Sequence, residues 1–183
     1  MEDIKKNCEE RMKKTINALK DEFSSLRTGR ASPALLDKIR VDYYGQKSPL
    51  NQVASVSVQD SRTIVIQPWD KALLPEIEKA IQKSELGINP SNDGKVIRIV
   101  VPPLTEERRK ELVKNAKASA EQSRVGIRNI RRDSIEEIKK KKDSGLSEDA
   151  LKKLEDELQK LTDNYISQIN KILEEKEKEI MEV

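Results

Sequence analysis

The apolar residues follow a helical period at both ends of the chain and a strand-like alternation in the middle. This change of period limits the possible folds more than any other feature. Near the N-terminus the apolar side chains recur every three or four positions, which predicts a helix with one apolar face. They are Ile4, Cys8, Met12, Ile16, Leu19, Phe23 and Leu26. We expect this helix to end near Thr28-Gly29, because glycine tolerates a helix-ending backbone and Pro33 prevents an early restart.

The middle of the chain, from about residue 34 to residue 101, predicts short strands around one helix. The strand signals are the alternating Ile39, Val41 and Tyr43, then Val56 and Val58, and the β-branched runs 63–66 and 95–101. Turns are expected at Gly45 and Pro49, and at the polar cluster 89–94. Residues 74–86 fit one amphipathic helix that ends at Gly87. Together these elements predict a small α+β unit of about 70 residues.

Two further helical stripes follow. Thr105 is expected to cap a helix that runs to about Lys142, and Glu106 favours its positive end. Its stripe consists of Leu112, Ala116, Ala120, Ser123, Ile127, Ile130 and Ile138. Asp143-Ser144-Gly145 breaks the pattern, and Ser147 is expected to cap the last helix. The last stripe, close to heptad spacing, consists of Leu151, Leu154, Leu158, Leu161, Tyr165, Ile169, Ile172 and Lys176.

These patterns predict an α+β fold: a long antiparallel three-helix bundle with an inserted small β/α/β sandwich domain, joined by two hinge strands. The tight connection 143–146 makes the last two helices antiparallel. We assign residues 1–29 and 105–183 to the bundle, 32–102 to the inserted domain, and 30–31 and 103–104 to the hinges. The expected hinge residues are Gly29, Arg30, Ala31, Pro103 and Leu104. Three helices of one chain complete a core, so we expect a monomer rather than a homo-oligomeric coiled coil.

The composition excludes most catalytic chemistry. The chain has no histidine, so neither a Ser-His-Asp nor a Cys-His nucleophile system can be built. Cys8 is the only cysteine, which excludes an intramolecular disulfide and a thiolate metal cluster. No phosphate-binding loop is visible. The composition leaves lysine and carboxylate catalysis open, but no catalytic constellation is visible. We therefore predict no enzyme activity, no catalytic residue, no cofactor and no metal site.

The N-terminal residues and the hydropathy of the chain favour a cytoplasmic protein. No run of about 20 apolar residues is present, so we expect no transmembrane helix and no membrane partner. The N-terminal residues are polar and of mixed charge, without the apolar stretch of a secretory signal or an organellar extension.

Charge is divided between the last two helices. Residues 105–142 contain thirteen Lys and Arg against seven Asp and Glu, whereas residues 147–183 contain six against eleven. Pairing between the two helices explains most of the lysines, but it explains the arginines less well. The basic stripe consists of Lys110, Lys114, Lys117, Arg124, Arg128 and Arg131, with Arg132 beside it. Arginine suits bidentate contacts to phosphate, so this face is a candidate RNA surface, with a solvated face as the alternative.

Three single residues have both a structural and a functional interpretation. Cys8 lies on an apolar stripe and is expected to be a small buried residue rather than a reactive thiol. Gly126 lies mid-helix, where crowding inside the bundle is a better explanation than a close RNA backbone. Trp69 could offer a stacking surface, but we expect a half-buried packing role because no aromatic residue lies near it in sequence.

Several separate segments resemble the bacterial ribosome recycling factor family. They are Leu26-Arg-Thr-Gly-Arg-Ala-Ser-Pro33, Asp42-Tyr-Tyr-Gly45, Asp60-Ser-Arg-Thr63, Leu86-Gly-Ile-Asn-Pro90, residues 102–110 (PPLTEERRK) and residues 125–133 (VGIRNIRRD). The resemblance covers essentially the whole chain, in order and at the family's spacing. It implies a three-helix bundle that carries a small β/α/β domain on two hinge strands, with an outline similar to a transfer RNA.

The resemblance also implies a function and its partners. The family disassembles the post-termination 70S ribosome together with the GTPase elongation factor G, and messenger RNA and deacylated transfer RNA are then released. The factor binds large-subunit rRNA through its bundle, holds no nucleotide and changes no covalent bond.

The family's RNA-binding arginines correspond to Arg109, Arg128, Arg131 and Arg132 of this chain. Lys117 and Arg124 join this predicted rRNA-binding set because they lie on the same basic stripe. Two alternatives remain at this point: a helical scaffold that binds a protein partner, and a non-translational RNA-binding module.

Overall fold

The structure, a computed structural model, describes residues 2–142, 145 and 147–182. It combines long helices with a small antiparallel sheet domain. The chain divides into two compact units. The first contains Met1–Ser24 and Lys110–Lys178, and the second contains Ser25–Arg109 and Glu179–Val183.

The helices are α1 (Glu2–Ser25), α2 (Leu50–Val53), α3 (Leu74–Gln82), α4 (Glu106–Lys142) and α5 (Glu148–Met181). The strands are β1 (Arg40–Tyr43), β2 (Gln46–Pro49), β3 (Ala54–Val58), β4 (Thr63–Pro68), β5 (Ser91–Asn92) and β6 (Ile97–Val100). Short 3-10 helices occupy Pro33–Leu36 and Lys71–Leu73. Over the described residues, no helix is both long enough and apolar enough to cross a membrane.

In the first unit, α4 runs antiparallel to both α1 and α5. Polar contacts join Arg11 to Asp133 and Glu22 to Ser119, so residue numbers rise along α1 as they fall along α4. The ion pairs Lys117–Glu177 and Lys139–Glu155 show the same inverse order between α4 and α5. The predicted antiparallel three-helix bundle is therefore confirmed.

Both predicted helix caps are present. Thr105 Oγ1 accepts a hydrogen bond from the Arg108 amide at 3.2 Å, and Ser147 Oγ accepts one from the Ala150 amide at 3.3 Å. These bonds satisfy amides that have no partner within the first turn of a helix. The predicted connection 143–146 between the last two helices is described only at Gly145, because Asp143, Ser144 and Leu146 lie outside the described residues.

The bundle core follows the predicted stripes on α1 and departs from them on α5. On α1, all the predicted positions from Ile4 to Phe23 are buried. On α5, Thr162 is buried and Leu161 is only partly buried, so the predicted apolar stripe is wrong there by one residue. The core tolerates Thr162 because its hydroxyl donates to the Leu158 carbonyl at 2.8 Å.

The second unit is built on a four-stranded antiparallel sheet in the order β3-β4-β6-β5, with β1 and β2 forming a separate hairpin. Ile64 and Ile66 of β4 are fully buried and pair in register with Ile99 and Ile97 of β6. Helix α3 packs its apolar face, including Ile77 and Ile81, into the same core. Burial on one face of a sheet fixes its register, because a one-residue shift would expose every isoleucine.

The ends of two helices and the position of one turn differ from the sequence prediction, and strand β5 lies inside the predicted turn cluster 89–94. Helix α1 ends at Ser25 and α3 at Gln82, each a few residues before its predicted end, and the hydroxyls of Ser24 and Ser84 bond there to carbonyls three residues back. The predicted turn at Gly45 and Pro49 is a two-residue turn at Tyr44-Gly45, where both φ angles are positive. Strand β2 then runs on to Pro49.

Candidate nucleic-acid interface

The predicted basic stripe of α4 divides into two lines of side chains. Lys117, Arg124 and Arg131 recur every seven residues, which is close to two helical turns, so they lie along one line. Arg128 and Arg132 are four residues apart and lie along a neighbouring line. The contacts of the two lines differ.

The first line contacts α5. Lys117 Nζ lies 3.4 Å from Glu177 Oε1, and Arg124 Nη1 donates to Asn170 Oδ1 at 2.8 Å. Arg131 Nη1 donates to Gln159 Oε1 on the same helix. The Arg124 side chain is only 18% exposed. Pairing between α4 and α5 therefore accounts for Arg124 and Arg131 just as it accounts for the lysines. The prediction that such pairing explains the arginines less well is wrong at these two positions.

The second line faces solvent. The Arg128 side chain is 43% exposed and Arg132 is exposed. Within the described part of the chain, Arg132 makes no hydrogen bond or ion pair with another side chain. Lys114, which is also exposed, extends the line toward the N-terminus of α4. Among the predicted residues, Arg128 and Arg132 are thus the arginines of α4 whose guanidinium groups are accessible to a phosphate.

One carboxylate lies among these cations. Glu121 is the only acidic residue between Glu111 and Asp133. Its Oε2 lies 2.8 Å from both Nε and Nη2 of Arg124, and its Oε1 lies 3.5 Å from Nη1 of Arg128. The hydrogen bond from Arg124, aided by the charges of both arginines, holds the pKa of Glu121 below its ordinary value. Sequence inspection missed Glu121, although its isolation among basic residues was a visible signal.

Arg109 lies in the first turn of α4 and is partly buried. Its Nε has no hydrogen-bond partner among the described residues, and the same holds for Nε of Arg131. Arg109 therefore presents only part of its guanidinium to solvent, in contrast to Arg132.

The predicted hinge residues have different surroundings. Gly29 has a φ of +76°, a conformation that favours glycine, and Arg30 is exposed. Ala31 is buried in the core of the second unit, and its amide donates to the Ser61 carbonyl at 2.8 Å. Pro103 is exposed and Leu104 is partly buried. Ala31 is thus anchored to the sheet domain and is the least free of the five.

Two of the single-residue interpretations need correction. Trp69 is 71% exposed, so its expected half-buried packing role is wrong. A Cβ placed on Gly126 would meet Thr15 at an ordinary contact distance of 3.7 Å, so crowding does not require glycine there. Cys8 is fully buried as expected, and burial raises the pKa of its thiol.

The described residues contain no group of three or more cysteine, aspartate and glutamate side chains that could hold a metal ion. The exposed cations of α4 have the charge and the accessibility that contact with an anionic polymer requires.

Comparison with known proteins identifies the family. The family model described as "Ribosome recycling factor" matches residues 19–181. The chain belongs to the ribosome recycling factor family. The ribosome-recycling factor of Treponema denticola is 64% identical over 183 residues, which covers 100% of this chain and 99% of that protein. That of Clostridioides difficile is 57% identical over 182 residues, covering 99% and 98%.

Solved structures of ribosome recycling factors have the same fold. A solution structure of the ribosome recycling factor matches with a TM-score of 0.77 at 50% identity, covering 100% of this chain and 97% of that one. A second match has a TM-score of 0.65 at 48% identity and covers 98% of both chains. It is described as part of models for the T. thermophilus ribosome recycling factor and the E. coli elongation factor G bound to the E. coli post-termination complex.

Proposed function

We propose that this chain disassembles the post-termination 70S ribosome together with elongation factor G, so that messenger RNA and deacylated transfer RNA are released. Membership of the ribosome recycling factor family carries this proposal. A relative 48% identical to the chain has been described on the post-termination complex with elongation factor G. In this role the chain acts as a monomeric translation factor in the cytoplasm, holds no cofactor and changes no covalent bond.

The RNA contact that we assign is the solvent-facing line of α4. Arg128 and Arg132 project from a helix whose opposite face is buried in the bundle, so the backbone that carries them is held in place. Guanidinium groups on a rigid helix suit bidentate binding of phosphates in structured RNA. We therefore place large-subunit rRNA against this line, with Arg132 as the most accessible of its arginines.

The other residues of the predicted rRNA-binding set have weaker support from their contacts. Arg124, Arg131 and Lys117 already have partners on α5, so binding RNA would require them to exchange or share those partners. Arg109 is partly buried. We keep these four as secondary contacts, with effects smaller than those of Arg128 and Arg132.

We further propose that the inserted domain, residues 32–102, moves relative to the helical bundle while each remains folded, and that residues 29–30 and 103–104 are the joints. Gly29 can adopt backbone angles that other residues avoid, and Pro103 keeps its segment extended. A disulfide between the inserted domain and the helical bundle, in a chain with Cys8 replaced by alanine, should preserve ribosome binding and block subunit splitting until it is reduced. Normal splitting by the cross-linked chain would contradict this part of the proposal.

The RNA contact is tested by co-sedimentation of the chain with purified large ribosomal subunits. The double variant Arg128→Glu and Arg132→Glu should bind much more weakly. Its binding should also depend less on salt. The slope of the logarithm of the binding constant against the logarithm of the salt concentration should become shallower by about one unit for each phosphate that the variant no longer binds. The control is Lys160→Glu with Lys171→Glu, which makes the same change in net charge at exposed positions of α5.

Circular dichroism should show the same helix content in all three proteins. Equal binding by the double arginine variant and the wild type would rule out this face. Equal loss of binding in both double variants would mean that net charge alone, rather than this line of arginines, determines binding.

A further inference from the structure

The carboxylate of Glu121 lies where it can compete with RNA for Arg128. Its Oε1 is 3.5 Å from Arg128 Nη1, a long single contact that is easily replaced. Its Oε2, by contrast, is held at 2.8 Å by two nitrogens of Arg124. Arg124 is itself fixed by Asn170 of α5 and is 18% exposed. The carboxylate of Glu121 is thus bound closely by Arg124 and only weakly by Arg128.

A carboxylate and a phosphate present similar oxygen acceptors to a guanidinium group. An RNA phosphate and Glu121 compete for the same guanidinium group of Arg128, and the charge of Glu121 stays in place because Arg124 holds it. A phosphate oxygen bound at about 2.8 Å on the far side of Arg128 would lie within about 9 Å of that charge. Half of the Glu121 side chain is exposed, so this repulsion acts through partly aqueous surroundings.

We infer that Glu121 is an internal competitor for the RNA phosphate at Arg128, and that it speeds release of the chain from large-subunit RNA. This inference rests on the proposed function of the α4 face. A factor that must leave the ribosome after each round gains from such a residue, because an interface composed only of cations would dissociate slowly. Glu121 touches Arg128 rather than the RNA, so it acts through Arg128.

The alternative role for Glu121 is to hold Arg128 in the orientation that RNA requires. The two roles predict opposite effects of Glu121→Gln. Removal of a competitor slows release, whereas removal of an orienting partner speeds it. Glutamine keeps an oxygen that can accept from Arg124, so the substitution removes the charge with little change of shape.

The experiment measures dissociation of a fluorescently labelled chain from purified large ribosomal subunits by stopped flow. At low salt, Glu121→Gln should slow dissociation by about two- to five-fold, the effect of one unit charge at this distance in partly aqueous surroundings. The difference should shrink as salt rises, because exposed charges are screened. Glu10→Gln, an exposed carboxylate of α1, is the control and should dissociate like the wild type.

A second measurement repeats the substitution in an Arg128→Gln chain, where Glu121→Gln should have little effect because the competition no longer exists. Unchanged or faster dissociation of Glu121→Gln would overturn the inference. If Arg128→Glu with Arg132→Glu still weakens binding in that case, the proposed RNA face survives and only the role of Glu121 is refuted. If that double variant binds normally, the face and the inference fail together.

Discussion

Arg124 Nη1 donates a 2.8 Å hydrogen bond to Asn170 Oδ1, and this bond joins α4 to α5 in the middle of the bundle. The same guanidinium group contacts Glu121 through two nitrogens at 2.8 Å. Most of the Arg124 side chain is therefore occupied within the protein. An arginine in a basic stripe can thus serve the packing of the bundle rather than the binding of a ligand.

Replacement of Arg124 by glutamine should destabilise the bundle. The removal of hydrogen bonds to a charged, mostly buried group should lower the free energy of unfolding by about 1–2 kcal/mol. Arg132→Gln, at an exposed position on the same helix, should change it by less than about 0.5 kcal/mol. Urea unfolding followed by circular dichroism measures both. Equal stabilities of the two variants would show that the contacts of Arg124 contribute nothing.

Two leucines test which face of α5 is buried in the bundle core. Leu158 is fully buried, whereas Leu161 is only partly buried. Leu158→Ala should cost about 2–5 kcal/mol, the usual range for a buried leucine. Leu161→Ala should cost clearly less, because part of its surface is already in water. If chemical denaturation showed that Leu161→Ala destabilises the chain more than Leu158→Ala does, the buried face of α5 would follow the heptad pattern of the sequence after all.

Gly126→Ala should stabilise the chain. Gly126 lies within α4 without a positive φ, and an added Cβ would make only an ordinary contact with Thr15. Alanine is favoured over glycine inside a helix by about 0.5–1 kcal/mol, so the free energy of unfolding should rise by up to that amount. A decrease measured by thermal or urea unfolding would revive the idea that crowding selects glycine here.

Asp93 should make the second unit sensitive to acid. Its carboxylate accepts hydrogen bonds from the amides of Val96 and Lys95 and from the Arg98 guanidinium group, and these hold its pKa well below the ordinary value of 3.8. A lowered pKa means that the carboxylate stabilises the fold above its unfolded-state pKa. This contribution disappears as pH falls from about 4 toward the folded-state pKa.

The variant Asp93→Asn tests this pH dependence, because asparagine can still accept the amide hydrogen bonds but cannot titrate in this range. The melting temperature of the wild type should fall more steeply between about pH 4 and pH 2 than that of the variant. Parallel pH profiles would show that titration of Asp93 is not linked to folding.

Features that depend on neighbouring residues could be predicted from the sequence, whereas features that depend on packing between distant segments could not. The stripe from Ile4 to Phe23 and the caps Thr105 and Ser147 could be predicted, because helical period and capping depend on neighbouring residues. Which arginines face α5 could not be predicted, because that depends on the rotation of α4 against its partner helix. The exposure of Trp69 depends likewise on chain segments far from it in sequence.

The candidate site was predicted as a continuous stripe, and the structure divides it. Arg128 and Arg132 remain accessible, while Arg124 and Arg131 are engaged by Asn170 and Gln159. Arg124, Arg128 and Arg131 all fit the steps of three, four and seven that suggested the stripe, so periodicity alone could not distinguish the arginine that faces solvent from those that face α5. The partner helix makes the distinction.

The most direct test of the account is light scattering by post-termination ribosomes mixed with the purified chain, elongation factor G and GTP. Splitting into subunits should lower the scattering only when all three are present. The Arg128→Glu, Arg132→Glu variant should split ribosomes far more slowly than the Lys160→Glu, Lys171→Glu variant. No fall in scattering with the wild-type chain, or an equal fall without it, would contradict the proposed function.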